Sequence, residues 1–333
     1  MNTRHPSRRA AAHALLVGLA AALLALSGCS SDDTTPGDKS TRTPITAPRD
    51  VPRGIVTRAE AHQILNRYQR VNNQANRVRD AKLLATVEAG QLYARSKAEL
   101  QQFDTFSAKK KKDYAAPFGF RERSFYIPAE GDWFAAEATT SAGARTLMVF
   151  EKFPGGQWKK VFSAFPDRSA PSPDTRRGVA ATAAPHRAVG RLAPRAATAA
   201  VEDLFITGGK RQGRALSHTG DRARRILKTH KERAGDPGGQ ALTSFTPARP
   251  VSGTSHALRT RTGVLAFVPL AHRQNLVAAG PNLRIQPDST EAVYNDRPRP
   301  AVIDTYQGEA LVLFPGEGKP KILDYRYAMV DSR

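Results

Sequence analysis

Cys29 is the single cysteine in 333 residues. No intrachain disulfide can form, so whatever folds here must be held by packing alone. The position of that cysteine is a second constraint. The first nine residues are basic, with Arg4, Arg8 and Arg9 and no acid, and Ala10 to Leu26 is apolar apart from His13 and Gly18. A positive start followed by an apolar run of this length reads as a secretory leader rather than a membrane-spanning helix. The pair Arg8-Arg9 leaves the general and the twin-arginine export routes both open.

Leu26-Ser27-Gly28-Cys29 closes the apolar run, and it resembles the lipobox of bacterial lipoproteins: leucine, a small residue, glycine, cysteine. The resemblance implies cleavage after residue 28, a diacylglyceryl group on the Cys29 sulfur, and a protein held on the extracytoplasmic face of the cell membrane. Each buried acyl methylene contributes about 0.8 kcal/mol, so several chains make release rare. Ser30 to Asp50 is rich in Ser, Thr, Asp and Pro and reads as a flexible tether over 29–50.

The formal charge is +21, and loss of the three leader arginines leaves +18. Such a balance usually suggests nucleic acid, but an exported chain does not meet it. Anionic lipid headgroups or phosphate-rich wall polymers are the expected partners, with any protein partner unknown. Arginine is nevertheless spread along the whole chain, as a GC-rich coding sequence would also produce. The densest basic region holds Arg211, Arg214, Arg222, Arg224, Arg225 and Lys228, the residues expected to face an anionic surface.

About 280 residues remain beyond the tether, enough for one large domain or two ordinary ones. Thr57-Arg58-Ala59-Glu60 fits a capping box and opens a helix whose apolar stripe is Ala61, Ile64, Leu65, Tyr68, Val71, Ala75 and Val78. Asn72, Asn73 and Asn76 interrupt it, as a solvated face or a cavity lining. A second stripe is Leu83, Leu84 and Val87, and Ser96-Lys97-Ala98-Glu99 is another capping-box pattern. Lys109 to Lys112 reads as a solvated run. Four short alternating segments from Arg123 to Phe165, with Gly131, Gly143 and Pro154-Gly155-Gly156 between them, predict an antiparallel meander. Residues 167–194, rich in Pro, Ala and Arg, predict a linker. Helices are then expected at Arg195 to Thr207 and Asp221 to Ala234. Strands are expected at Ala257 to Thr260, Val264 to Leu270, Leu283 to Gln286, Glu291 to Asn295, Val302 to Thr305, Ala310 to Phe314 and Lys321 to Val330.

The predicted class is therefore α+β, in two tandem lobes at 51–166 and 195–333. Each has helices followed by a curved antiparallel sheet. That element order resembles the cone-shaped fold of nuclear transport factor 2 and the cystatin-like proteins. Asp80 to Glu88 and the ending Tyr327 to Arg333 are similar to actinobacterial lipoproteins carrying a domain of unknown function, a resemblance that implies no activity.

No linear catalytic signature is assembled. Gly316-Glu317-Gly318-Lys319 lacks the first glycine of a phosphate loop and has Pro320 where a hydroxyl must bind magnesium, so it reads as a hairpin turn. Ser217-His218 and Ser255-His256 lie outside a nucleophile elbow. His62 and His230 fall on helices, while His272 is a candidate cavity-lining residue. Asp80, Asp304 and Asp324 are acids near apolar segments that the sequence alone cannot pair. No metal or cofactor is expected. The chain is read as a non-catalytic binding lipoprotein. The alternatives are an enzyme of cone-fold type and a structural protein adhering to the wall through charge. If Cys29 carries the anchor, Cys29→Ala protein will incorporate no labelled fatty acid and will be released or left unprocessed; label retained by the variant would refute the assignment.

Overall fold

The computed structural model describes residues 54–233 and 241–333; Cys29, the leader, the tether and the glycine-rich 235–239 lie outside them. The first helix, α1 (Arg58–Val78), is capped as its sequence requires: the Thr57 hydroxyl accepts from the Glu60 amide, and the Glu60 carboxylate accepts from the Thr57 amide. Ala61, Leu65, Tyr68, Asn72 and Ala75 form its buried stripe, whereas Val78 at its end is exposed. Asp80 caps α2 (Ala81–Leu84) by accepting from the Lys82 and Leu83 amides. In α3 (Gly90–Gln101), Ser96 lies mid-helix, so the second capping-box pattern starts nothing. The lysine run falls on α4 (Ala108–Ala115), which buries no residue.

β1 (Phe120–Tyr126), β2 (Trp133–Thr140), β3 (Arg145–Lys152) and β4 (Trp158–Ala164) form the expected meander, in that order and antiparallel throughout. Pairing Phe134 with Phe150 and Ala136 with Met148 puts these four on one face, against α1 to α3. The alternate positions Ala135, Leu147, Val149, Phe162 and Ala164 fill the other face. Sequence period two thus builds two different cores from one sheet.

After β5 (Thr175–Arg176), β6 (Val179–Ala180), α5 (Ala197–Ile206) and α6 (Asp221–Arg233), the second sheet comprises β7 (Ala241–Pro247), β8 (His256–Thr260), β9 (Gly263–Ala278), β10 (Ala301–Pro315) and β11 (Lys321–Ser332). Its order is β11-β10-β9-β7, with β8 also paired to β9. Val264, Ala266, Val268, Ala310, Val312 and Phe314 pack under α5 and α6. Leu258, Leu265, Phe267 and Leu311 turn the other way and meet the free face of the first sheet. The layers run helix, sheet, sheet, helix. Helices followed by an antiparallel sheet occur twice, as expected, and the class is α+β.

Several elements depart from expectation. The two strands expected at Val302 to Thr305 and Ala310 to Phe314 are one, because Gly308 passes through the sheet. A Cβ there would lie 2.2 Å from the Arg326 carbonyl oxygen, so the glycine allows β11 to close in rather than ending a strand. Leu283 to Gln286 makes only an isolated bridge from Ile285 to Arg299, and Glu291–Val293 is a 3-10 turn. β7 was not foreseen, since its burial lacks a clean apolar alternation. The stretch 167–194, expected as a linker, is ordered and lies against the sheets. The Ala180 amide donates to the Ile127 carbonyl, and the Ala183 amide donates to that of Ala257. Small side chains let it lie close, and the same alanines and prolines erase the periodicity that would announce packed structure.

The inter-sheet layer joins residues from both halves of the chain. Limited proteolysis should therefore leave the chain uncut between Asp167 and Arg195. Two separately stable pieces, cut within that interval, would show that the layer does not couple the halves.

Candidate functional site

α5 carries two adjacent acids in an otherwise apolar helix. Ala197, Ala200, Val201, Leu204 and Phe205 pack on the second sheet. Thr198, Glu202, Asp203 and Ile206 line a cleft of about 290 Å³, closed opposite by Pro247, Ala248, Pro250 and Ala271. The cleft is mostly apolar with a few polar groups, the usual make-up of a small-molecule site.

Asp203 shapes one wall. Its carboxylate accepts from the Thr207 hydroxyl at 2.6 Å and from the Arg211 and Gly213 amides at 2.9 Å each. Burial pushes its pKa up, but these donors outweigh burial and the net shift is downward, so the group stays ionised. Its chemistry is spent on holding the 207–213 turn. Glu202 is freer. One oxygen, Oε2, lies 3.0 Å from His272 Nδ1, and Oε1 has no hydrogen-bond partner among the described residues.

His272, the expected cavity-lining residue, sits behind the cleft instead, 1 % exposed. Its ring is sandwiched between Phe205 and Tyr306 at centroid distances of 4.7 and 5.0 Å, with Tyr327 edge-on at 5.4 Å. It orients Glu202 and is itself fixed by stacking. Sequence reasoning missed Glu202 and Asp203. Two consecutive acids within the apolar run of α5 were the available signal.

A second polar cluster lies where α3 wedges against both sheets. Tyr68 donates to Glu88 at 3.0 Å, Asn72 donates to both of them, and Lys160 donates to the Tyr68 oxygen at 3.1 Å. Asn72 is therefore interior, while Asn73 exchanges hydrogen bonds with the Phe118 backbone. Arg95 of α3 faces Glu309 of β10 at 3.4 Å, and neither Glu309 oxygen has a hydrogen-bond donor. Burial lifts the Glu309 pKa to about 7 despite Arg95 and Lys160 nearby, and burial lowers Lys160 to about 8 against the pull of Glu88. Gln91 donates to the Ser252 carbonyl and Gln102 donates to that of Met329, so α3 stitches the two halves together. Because its members come from α3, β4 and β10 and are almost fully buried, this cluster acts as a joint.

The remaining candidates are dispersed. Ser217 bonds Thr219 and His218 bonds the Gly213 carbonyl oxygen. His256 reaches Glu151 at 2.6 Å and stacks on Trp133, tying the sheets together without touching Ser255. His62 packs edge-on to Phe125, and His230 bonds the Phe205 carbonyl. Asp324 accepts from the Phe165 amide at 2.7 Å, and Asp304, which burial lifts to about 6, lies away from it on β10. Gly316 to Lys319 is the β10–β11 turn, as expected. Of the basic residues, Arg222 lies 3.8 Å from buried Asp324 and is partly covered. Arg224 pairs with Asp221, Lys228 lies 3.5 Å from Glu232, and Arg211, Arg214 and Arg225 are exposed. Among the described residues no group of three or more His, Cys, Asp or Glu side chains could hold a metal ion, and no helix is long and apolar enough to cross a membrane.

A family described as a domain of unknown function (DUF8094) matches residues 52–333. The chain belongs to that family. It is also 28% identical to an uncharacterized lipoprotein of Streptomyces coelicolor, over 96% of this chain and 93% of that one.

The joint gives stability a pH dependence. Unfolded, Glu309 releases its proton near the ordinary 4.5; folded, it does so at about 7. Between those values the folded state binds more protons, so stability falls as pH rises. Glu309→Gln should flatten that fall in urea midpoints measured from pH 4.5 to 7. Parallel profiles for the two proteins would remove Glu309 as the cause.

Proposed function

We propose that this protein is a lipid-anchored lipoprotein of the extracytoplasmic membrane face that binds a small ligand in the α5 cleft without turning it over. The observation that carries the binding site is the cleft itself. Its walls enclose about 290 Å³ and are mostly apolar, with Thr198, Glu202, Thr207 and Gln212 among the polar residues that line it. A ligand of roughly ten to fifteen heavy atoms with an apolar body and a hydrogen-bond donor complements such a site. Support for the anchor comes from the leader ending at Cys29 and from the relative's description as a lipoprotein.

Binding is favoured over catalysis by how the cleft's polar groups are used. Asp203 is saturated by three donors and Glu202 is held by a histidine that lies outside the cleft lining. Among the described residues the side-chain hydroxyl bonded to either acid is that of Thr207, which also accepts from the Lys210 amide and so serves the turn. Arg224, Arg225 and Lys228 on the outer side of α6 add a general attraction to anionic surfaces, about 1 kcal/mol for each basic side chain close to one.

Thermal-shift measurements with small amines, alcohols and amino acids should find a class that raises Tm, and Ile206→Trp should abolish that rise by filling the cleft. Failure of every class to raise Tm, or a shift retained by Ile206→Trp, would remove the cleft from the function. Turnover of a bound compound that disappears in Glu202→Gln would replace binding with catalysis.

A further inference from the structure

The stretch 173–189 builds a groove of its own. Two backbone contacts clamp it to the outer edge of β8: the Asp174 amide donates to the Arg259 carbonyl at 2.8 Å, and the Arg259 amide donates to the Ala181 carbonyl at 2.7 Å. Arg259 is thereby fixed from both sides, and it is the one exposed position in a strand otherwise buried. Between this strap and the turns at Gly263 and Gly316 lies a groove of about 460 Å³, into which Arg176, Arg187 and Arg259 converge.

The charge balance is uneven. Asp174 is the single acid lining the groove, and its carboxylate lies 3.9 Å from Arg176. The guanidinium groups of Arg187 and Arg259 have neither an ion-pair nor a hydrogen-bond partner among the described residues. Nearby, Arg177, Arg191 and Arg195 on the same stretch are exposed, against exposed Glu317 at the β10–β11 turn. Clustered guanidiniums are costly to hold together without a counter-charge, and their planar donor forks match phosphate oxygens two at a time. A concave groove, unlike a convex basic face, favours phosphate carried on a narrow chain over a flat bilayer surface.

We propose that this groove is a binding site for a phosphodiester chain, seated by Arg187 and Arg259. It is separate from the α5 cleft, shares no lining residue with it, and can fail or succeed independently of it. The strap supplies one arginine wall and β8 the other, so the site exists only because 173–183 pairs with the sheet edge. Arg176 is steadied by Asp174 and sets one end.

Titration calorimetry of the full-length protein in nonionic detergent, with a short synthetic glycerol-phosphate oligomer as the probe, tests this. Arg187→Ala/Arg259→Ala should weaken binding by at least about tenfold, since each charged hydrogen-bonding partner is typically worth that much. The slope of log affinity against log salt should fall by about 1.4, for two phosphate contacts at about 0.7 each. Lys109→Ala/Lys112→Ala on the exposed face of α4 should leave both unchanged. Arg187→Lys/Arg259→Lys, which keeps charge but loses the fork, should fall between; it also serves if the alanine pair fails to fold. Equal affinity in the groove variants, or an equal loss in the α4 control, would overturn the proposal. So would stronger binding of monomeric dihexanoyl-phosphatidylglycerol than of the glycerol-phosphate oligomer, which would make a lipid headgroup the ligand.

Discussion

The structure depends on the layer where the two sheets meet. Leu147, Val149 and Phe162 from the first sheet face Leu258, Leu265, Phe267 and Leu311 from the second, and Phe162 meets Phe267 edge-on at 5.1 Å. Burial of a large apolar side chain contributes on the order of 2 kcal/mol relative to exposure, so this one layer outweighs any surface ion pair the protein makes. It also explains why the central strands are apolar on both faces. β3 and β9 are each covered by helices on one side and by the other sheet on the other, so their alternation disappears into runs of buried residues. With no disulfide available, the same layer ties the N-terminal half to the C-terminal half.

α3 closes the open side of that layer with charge instead of hydrocarbon. Arg95, Glu309, Glu88 and Lys160 are all nearly inaccessible. Burying four ionisable groups costs several kcal/mol for each ion, and their mutual attraction offsets this only in part, as the unpartnered Glu309 oxygens and the shifted pKa values show. Such an arrangement adds little net stability. Its effect is directional: Arg95 finds its acid only if α3 is docked at one depth against β10. Gln91 and Gln102, each bonded to a carbonyl of the other half, read the same register.

Around this rigid centre the accessible chemistry is peripheral. The α5 cleft lies on the outer helical layer, and the arginine groove lies at the edge of β8. Both are made where a helix or strand meets an irregular segment: 207–213 and 247–250 in one case, 173–189 in the other. Fixed scaffolds with functional loops at their margins are the common arrangement, because backbone polar groups in loops need access to water or ligand. Here the loops are unusually constrained. Asp203 holds the first with three hydrogen bonds, and pairing with β8 holds the second.

Much was legible from the chain alone. The cap at Thr57 and Glu60, the meander from β1 to β4, the two later helices and the β10–β11 turn all follow from local rules of capping, period and turn chemistry, which act within a few residues. Failures came where distant partners decide. Gly308 is a strand residue because Tyr327 lies opposite with the Arg326 carbonyl close by, and Asn72 is interior because Glu88 and Tyr68 meet it. The stretch 167–194 is ordered because β8 offers an unpaired edge, and no composition reveals that. The sequence itself determined the lone cysteine, the positive charge and, through capping and period, the α+β content. Tertiary structure alone decided which acids and arginines converge, because convergence depends on contacts as distant in the chain as Arg95 and Glu309, and local propensity carries no information at that range.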